Sequence, residues 1–176
     1  KMQIISFFNG KAMLAGALML GALAAPTAAI AQETEKAVTV SGTAAFVSDY
    51  RFRGVSYSNL DPAVQAGLTL DTRSGFFIGA WGTSMADFNG ATTEIDISAG
   101  WVGALAGFDV SGGAILYAYP GGTDTNTVEL FGTVSLPLGP FVASLGLNWA
   151  PAQDNLARSN RYVFGMLSAG IPNTPI

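Results

Sequence analysis

Residues 38–71 read VTVSGTAAFVSDYRFRGVSYSNLDPAVQAGLTLD and hold two alternating runs joined by a turn-rich segment. In the first run apolar residues such as Val38, Phe46 and Tyr50 occupy even positions, and polar residues occupy odd positions. A period of two is typical of a β-strand with one apolar and one polar face. Residues 56–62 predict a loop, and a second alternating run begins at Ala63. The stretch therefore predicts a β-hairpin.

The same pattern recurs along the rest of the chain. Most strand candidates are about ten residues long, which is the length of a tilted membrane-spanning strand. In 75–84 the alternation is weak and leaves open which face is apolar. The eight candidates are 38–53, 63–71, 75–84, 92–102, 108–119, 127–136, 141–149 and 161–171. The connections are 56–62, 85–91, 103–107, 120–126, 137–140 and 151–160, and the later ones alternate between long and short as in outer-membrane barrels.

Residues 1–31 have the composition of a secretory signal peptide. Lys1 and Lys11 precede an apolar run over 12–25, and an A-x-A site at 29–31 predicts cleavage between Ala31 and Gln32. The alternative is a transmembrane helix, but the apolar run has about 14 residues and a bilayer needs roughly 20. We therefore predict export and a single domain over 32–176.

Composition excludes several kinds of chemistry. The chain has no cysteine and no histidine, so disulfides, thiol chemistry and the commonest general base and metal ligand are excluded. The net charge of −4 argues against nucleic acid as a partner. We predict that the protein is not an enzyme and has no cofactor or metal.

Alternation alone fits two kinds of barrel, because a soluble barrel has its apolar residues inside and a membrane barrel has them outside. Only 11% of residues are charged, against about 25% in soluble domains. Lys36 is the single lysine after residue 31. We therefore predict an all-β, antiparallel, up-and-down transmembrane β-barrel in contact with lipid. Its aromatic girdle candidates, near strand ends on the apolar face, are Tyr50, Phe52, Trp101, Phe108, Phe141 and Trp149.

Residues 47–56 (VSDYRFRGVS) and 61–67 (DPAVQAG) resemble the TorF-type porins of proteobacteria, a family formerly called conserved hypothetical. Residues 94–96 with Gly100, then 117–121, 129–130 and 171–173, resemble the later landmarks of that family. The resemblance implies the outer membrane of a Gram-negative bacterium and a pore, but not the solute. Family members look longer and outer-membrane barrels usually end in an aromatic residue, so we expect missing C-terminal strands and about 10–12 strands in the intact protein.

Charged residues fall on the polar faces of the predicted strands, and two interpretations of them remain open. One is a charged lumen that sorts solutes. The other, which we favour, is that arginine–carboxylate pairs brace a narrow interior, because charges between low-dielectric walls must pair or stay hydrated. The lumen-lining candidates are Asp49, Arg51, Arg53, Asp71, Glu94, Asp96, Asp109 and Glu129.

Other candidate sites are weak. Glu94 and Asp96 share a strand face and would suit an acid–base couple or a calcium site, but that spacing is common in water-lining strands. Ser48 and Ser56 have no histidine with which to form a triad. The predicted function is passive diffusion of small solutes, and the alternative is a non-conducting structural or loop-presenting barrel. An outer-membrane enzyme is the third possibility, and the sequence does not indicate an oligomeric state.

Overall fold

The structure is a computed structural model that describes residues 37–169, and this part of the chain is all β. The predicted signal peptide with Ala31 and Gln32, and residues 170–171 of the last predicted strand, lie outside the described residues. The ten strands are β1 Val38–Val47, β2 Arg51–Phe52, β3 Val55–Ser56, β4 Ala63–Thr72, β5 Phe76–Phe88, β6 Ala91–Leu105, β7 Phe108–Ala118, β8 Thr127–Leu138, β9 Phe141–Ala150 and β10 Asn160–Ala169.

Eight of these strands form one antiparallel sheet in the order β1-β4-β5-β6-β7-β8-β9-β10. The short β2 and β3 pair only with each other. Since β1 pairs directly with β4, the sheet is an up-and-down meander from which residues 48–62 are excluded. The predicted all-β antiparallel class is confirmed.

The two ends of the sheet have different connections. At one end lie the short turns at 73–75, 106–107 and 139–140. At the other end, here called the loop end, lie the connections 48–62, 119–126 and 151–159 and one tight turn at Asn89 and Gly90. These two residues have φ values of 51° and 94°, as a two-residue hairpin turn requires. The prediction of a turn over the whole of 85–91 is therefore wrong, because β5 and β6 continue almost to the turn.

The two faces of the sheet have opposite chemistry. Buried polar side chains on one face include Gln65, Thr83, Glu94, Glu129 and Asn148. The other face exposes large apolar side chains along its whole width: Val64, Leu68, Leu70, Phe76, Ile78, Ile95, Ile97, Val128, Leu130, Val134, Leu136, Leu145, Leu147, Val163 and Leu167. For β5, where the sequence left the faces open, Phe77 lies on the polar face and Ile78 on the apolar one.

The sheet curves so that its polar face is concave. Phe77 in β5 and Phe131 in β8 have ring centroids 6.4 Å apart. Their strands are three positions apart in the sheet, so a flat sheet would separate them by about 14 Å. The side chains of the inner face therefore converge, and those of the apolar face point outward.

Aromatic rings of the inner face lie over glycines of the neighbouring strand. Phe131 is the cross-strand partner of Gly113, and a Cβ at Gly113 would be 2.7 Å from the Phe131 ring and 2.2 Å from a backbone oxygen. The same relationship joins three further partner pairs, with Cβ–ring distances of 3.1 Å or less: Phe77 with Gly100, Phe164 with Gly146, and Trp81 with Gly67. Glycine lets each ring lie flat against the backbone of the opposite strand.

Candidate functional site

Residues 48–58, here called the inward segment, leave the sheet after β1 and fold against its concave face. The segment contains the β2–β3 hairpin, whose turn at Arg53 and Gly54 has φ values of 50° and 86°. The amide of Tyr57 donates to the carbonyl of Tyr50 over 2.7 Å, and the amide of Ala86 in β5 donates to the carbonyl of Tyr57 over 2.8 Å. Backbone hydrogen bonds therefore close the segment on itself and attach it to the wall.

Asp49 stabilises the bend at which the segment begins. Its Oδ1 accepts hydrogen bonds from Ser56 Oγ at 2.6 Å and Ser58 Oγ at 3.0 Å, and its other oxygen pairs with Arg51. Ser58 Oγ also accepts from the amide of Tyr50 at 2.8 Å. The hydrogen bond from Ser56, aided by Ser58 and Arg51, lowers the pKa of Asp49 despite its partial desolvation.

Two predicted girdle residues belong to this segment instead of the outer face. Tyr50 is 5% exposed and its ring lies 5.6 Å from that of Trp81. Phe52 makes edge contacts with Tyr57 and Tyr117, at 5.9 and 5.6 Å between centroids. The chain leaves the strand plane after Val47, so the alternation through Phe52 no longer corresponds to alternation across a sheet. Their assignment to a lipid-facing girdle is wrong.

Glu94 in β6 is the first wall carboxylate that the segment contacts. It is 1% exposed, and each of its oxygens accepts a tyrosine hydroxyl: Tyr50 at 2.9 Å and Tyr119, in the loop after β7, at 3.0 Å. Burial, together with the charge of Glu94, raises the pKa of both tyrosines. Both hydroxyls therefore remain protonated at neutral pH and donate to the carboxylate.

Glu129 in β8 is the second wall carboxylate. Arg53 donates to it with two nitrogens, at 3.0 and 2.6 Å, in a bidentate pair. Tyr117 Oη and Asn148 Nδ2 also donate to its Oε2, each at 3.2 Å. The Arg53 guanidinium lies 4.5 Å from the Phe52 ring centre and 4.4 Å from that of Tyr162 in β10. The segment thus reaches from β5 to β10 across the concave face.

The structure places the lumen-lining candidates on or against this face. Asp71, Glu94, Asp96, Asp109 and Glu129 lie at the inward positions of their strands. Arg53 enters through the inward segment, whereas the Arg51 side chain is half exposed and pairs with its neighbour Asp49. The structure therefore brings Arg53 to Glu129 but leaves Asp71, Asp96 and Asp109 outside the ion pairs that it records.

The other four girdle candidates are on the outer face. Trp101, Phe108 and Phe141 lie near the short-turn end, and Trp149 lies near the loop end. Phe46 and Phe76 are also exposed on this face near strand ends, although neither was predicted as a girdle residue. Phe46 was detectable, because it is on the apolar side of the first alternating run.

The residues that hold the wall carboxylates were not predicted from the sequence. Tyr117, Tyr119, Asn148 and Tyr162 belong to this set. A usable signal existed for Tyr117, which is a large side chain on the polar side of an alternating strand. No such signal exists for Tyr119, because it lies in a loop. None exists for Tyr162 either, because it contacts Arg53 through the face of its ring.

A polar cavity lies between the 119–126 and 151–159 connections at the loop end. It has a volume of about 280 Å³ and is lined by Gly122, Asp124, Thr125, Asn126, Gln153, Asp154 and Asn155. Asn155 Nδ2 donates to the Thr125 carbonyl and to Thr127 Oγ1, at 3.1 and 2.8 Å. These bonds hold the two loops together.

Within residues 37–169, no group of three or more acidic side chains is placed to hold a metal ion. Nor does this part of the chain contain a helix long and apolar enough to cross a membrane.

One family model matches the chain over residues 31–176, that of a bacterial protein of unknown function (Gcw_chp). The match covers nearly all of the sequence, so the chain belongs to this family. Neither a curated protein nor a solved structure matches the chain.

Proposed function

We propose that this member of the Gcw_chp family is an outer-membrane β-barrel through which small solutes diffuse, with the inward segment narrowing the passage at the loop end. The observation that carries the proposal is the inverted arrangement of the sheet, which has buried carboxylates and amides on its concave face and exposed leucines, valines and isoleucines on its convex face. A soluble barrel has the opposite arrangement, because water favours polar side chains outside. Lipid favours the arrangement found here.

The dimensions of the outer face support the membrane part of the proposal. Phe141 and Trp149 lie on this face at opposite ends of β9. At about 3.4 Å per residue and a tilt of about 40°, they are roughly 20 Å apart along the barrel axis. The apolar band of known outer-membrane barrels is about 25 Å tall, with aromatic residues at both borders. The distance between the two aromatic residues of β9 is thus close to the height of such a band.

The arrangement of the inner face supports a restricted passage. The inward segment crosses the face and ends on Glu94 and Glu129, so any solute at the loop end must pass beside it. Its contacts with the wall are hydrogen bonds, an ion pair and ring contacts, which water and ions can compete for. The resemblance of residues 47–56 to TorF-type porins agrees with this role.

A second candidate is a non-conducting barrel that presents its loops. The close approach of the Phe77 and Phe131 rings favours it, because barrels of about eight strands are filled by side chains. The polar cavity between the two long loops would then be the surface presented to a partner.

Conductance of the full-length protein in planar bilayers tests the proposal. We expect discrete openings, and we expect the double variant Arg53→Ala/Tyr50→Ala, which detaches the inward segment from both wall carboxylates, to enlarge them. Asn155→Ala, which loosens only the outer loops, serves as the control. A folded, membrane-inserted protein that shows no opening in any of the three forms would refute the channel and leave the loop-presenting barrel.

A further inference from the structure

We infer that the proposed passage prefers cations over anions, and that Asp71, Asp109 and the pair Glu94 and Asp96 determine this preference. The inference rests on the proposed channel and adds to it the class of solute. It comes from comparing which charges of the inner face are neutralised by a partner and which are not.

Both arginines of the inner region are already neutralised. Arg53 is bound by the two oxygens of Glu129, and Arg51 is paired with Asp49. The remaining arginines among residues 37–169 lie elsewhere: Arg73 is in a short turn, and Arg158 and Arg161 are exposed at the loop end. Residues 37–169 contain no lysine. Neither of the two recorded ion pairs, Arg53–Glu129 and Arg51–Asp49, includes Asp71, Asp96 or Asp109.

Those carboxyl groups are distributed over the length of the interior. Asp71 is the second-to-last residue of β4 and Asp109 is the second residue of β7, so both lie near the short-turn end. Glu94 and Asp96 lie in the half of β6 nearer the loop end. We count this neighbouring pair as one negative charge, because like charges at close range share a proton. A solute then meets unbalanced negative charge near both ends of the passage.

Asp96 differs from Glu94 in what its oxygens contact. Both oxygens of Glu94 accept tyrosine hydroxyls, whereas Oδ1 of Asp96 is buried and has no hydrogen-bond partner among the described residues. A buried acceptor without a donor costs free energy unless a donor or a cation reaches it. Asp96 therefore has an oxygen whose hydrogen-bonding capacity the described residues leave unused.

Low-dielectric walls strengthen the effect of these charges. A barrel interior surrounded by lipid focuses field lines and raises the local concentration of counter-ions. One unit charge at about 10 Å in water already changes cation occupancy roughly twofold, and a lower dielectric constant increases this factor. Several such charges should produce a clear preference for potassium over chloride.

The test is the reversal potential of single channels of the full-length protein in a KCl gradient. We expect a permeability ratio of potassium to chloride of about three or more at 0.1 M salt, and a smaller ratio at 1 M, where the screening length falls from about 10 to 3 Å. Asp109→Asn and Asp71→Asn should each lower the ratio roughly twofold, because each removes one unshared negative charge. Asp61→Asn, an equal charge change in an exposed loop, should leave it unchanged.

The possible failures can be told apart. A channel that conducts with a ratio of one or below, or whose ratio is unaffected by both substitutions, overturns the cation preference and leaves the channel intact. Absence of conductance in correctly inserted protein overturns the proposed function and the preference with it. Asp71→Asn and Asp109→Asn should both fold, because neither aspartate accepts a side-chain hydrogen bond from another residue in the range 37–169.

Discussion

Arg53 binds Glu129, which lies 76 residues further along the chain, through two hydrogen bonds of 3.0 and 2.6 Å. The pair joins the tip of the inward segment to the sheet wall, and its arginine is also covered by the rings of Phe52 and Tyr162. This single contact connects the beginning of the described chain with β8 and β10.

Loss of Arg53 should be more damaging than loss of both partners. Arg53→Met leaves Glu129, which is 6% exposed, without its counter-ion, and we expect a loss of about 3 kcal/mol in the free energy of unfolding. The double variant Arg53→Met/Glu129→Leu should lose less, because no buried charge remains. Urea unfolding in detergent micelles measures both. Equal or additive losses would contradict the role of the pair.

The two tyrosines on Glu94 should act as a unit. Tyr50→Phe or Tyr119→Phe removes one donor from a fully buried carboxyl group, so each should cost about 1–3 kcal/mol of unfolding free energy. Their combined effect should deviate from the sum, since both hydroxyls bind the same group. Tyr162→Phe is the matched control, because its hydroxyl makes no hydrogen bond in the described part of the chain, and it should be nearly neutral.

Gly113 and Gly132 provide a test of the ring-over-glycine contacts. Gly113→Ala should destabilise the protein by about 1–3 kcal/mol, because its Cβ would overlap the Phe131 ring and the Ala99 carbonyl. A Cβ at Gly132, the cross-strand partner of Gly112, would have its nearest contact at 3.9 Å, so Gly132→Ala should be tolerated. The comparison uses unfolding free energies under identical conditions, and similar values for both variants would refute the steric argument.

The outer face should respond to charge according to depth. Val134 and Leu138 lie on the same face of β8 and are 46% and 49% exposed, but Val134 is nearer the middle of the strand. In lipid, Val134→Arg should cost about 2–4 kcal/mol and Leu138→Arg about 0–1 kcal/mol. Refolding into lipid vesicles gives both values. A water-exposed face would tolerate both substitutions equally.

Acid should loosen the inward segment through Asp49. The pKa of this group lies below its ordinary value of 3.8. A lowered pKa means that its contribution to stability is fully present above the ordinary value and is lost as the pH falls through the lowered one. At pH 6, amides of residues 48–58 should therefore exchange with deuterium more slowly than in Asp49→Asn.

The difference between the wild-type protein and Asp49→Asn should vanish as the pH falls below 3.8 and through the lowered pKa of Asp49. Exchange rates are compared at the same pH, so their intrinsic pH dependence cancels. Asp61→Asn should show the same amide exchange rates in residues 48–58 as the wild-type protein at every pH. A difference that persists in acid would show that Asp49 stabilises the bend without its charge.

Alternation in the sequence correctly predicted which side chains face inward and which face outward where two conditions hold. The strand is paired on both sides, and its inward and outward side chains differ in size. In β6, Glu94 and Asp96 face inward and Ile95 and Ile97 outward, as their positions indicate. In β5 the pattern failed to decide, because Gly79, Ala80 and Gly82 carry little or no side chain. The pairing of β5 with β4 and β6 assigns its faces instead.

The alternation of apolar and polar residues gives a wrong prediction for the inward segment. Tyr50 and Phe52 continue the alternation of β1, yet the chain bends at Asp49 because two serines seven and nine residues later bind its carboxylate. Such a bend depends on contacts outside the strand, which a period of two does not contain. The Arg53–Gly54 dipeptide was the available signal, because glycine adopts the positive φ of a tight turn readily.

The rings that lie over glycines also have a consequence for folding. Each ring requires a bare backbone directly opposite, and the four such pairs are spread from β4 to β10. At the Trp81, Phe77 and Phe164 pairs, a slip of one residue in either direction would set the ring opposite a residue that has a side chain, and it would also turn the outer leucines inward. Steric overlap therefore disfavours a shifted register while the sheet assembles, before contact with lipid or water can do so.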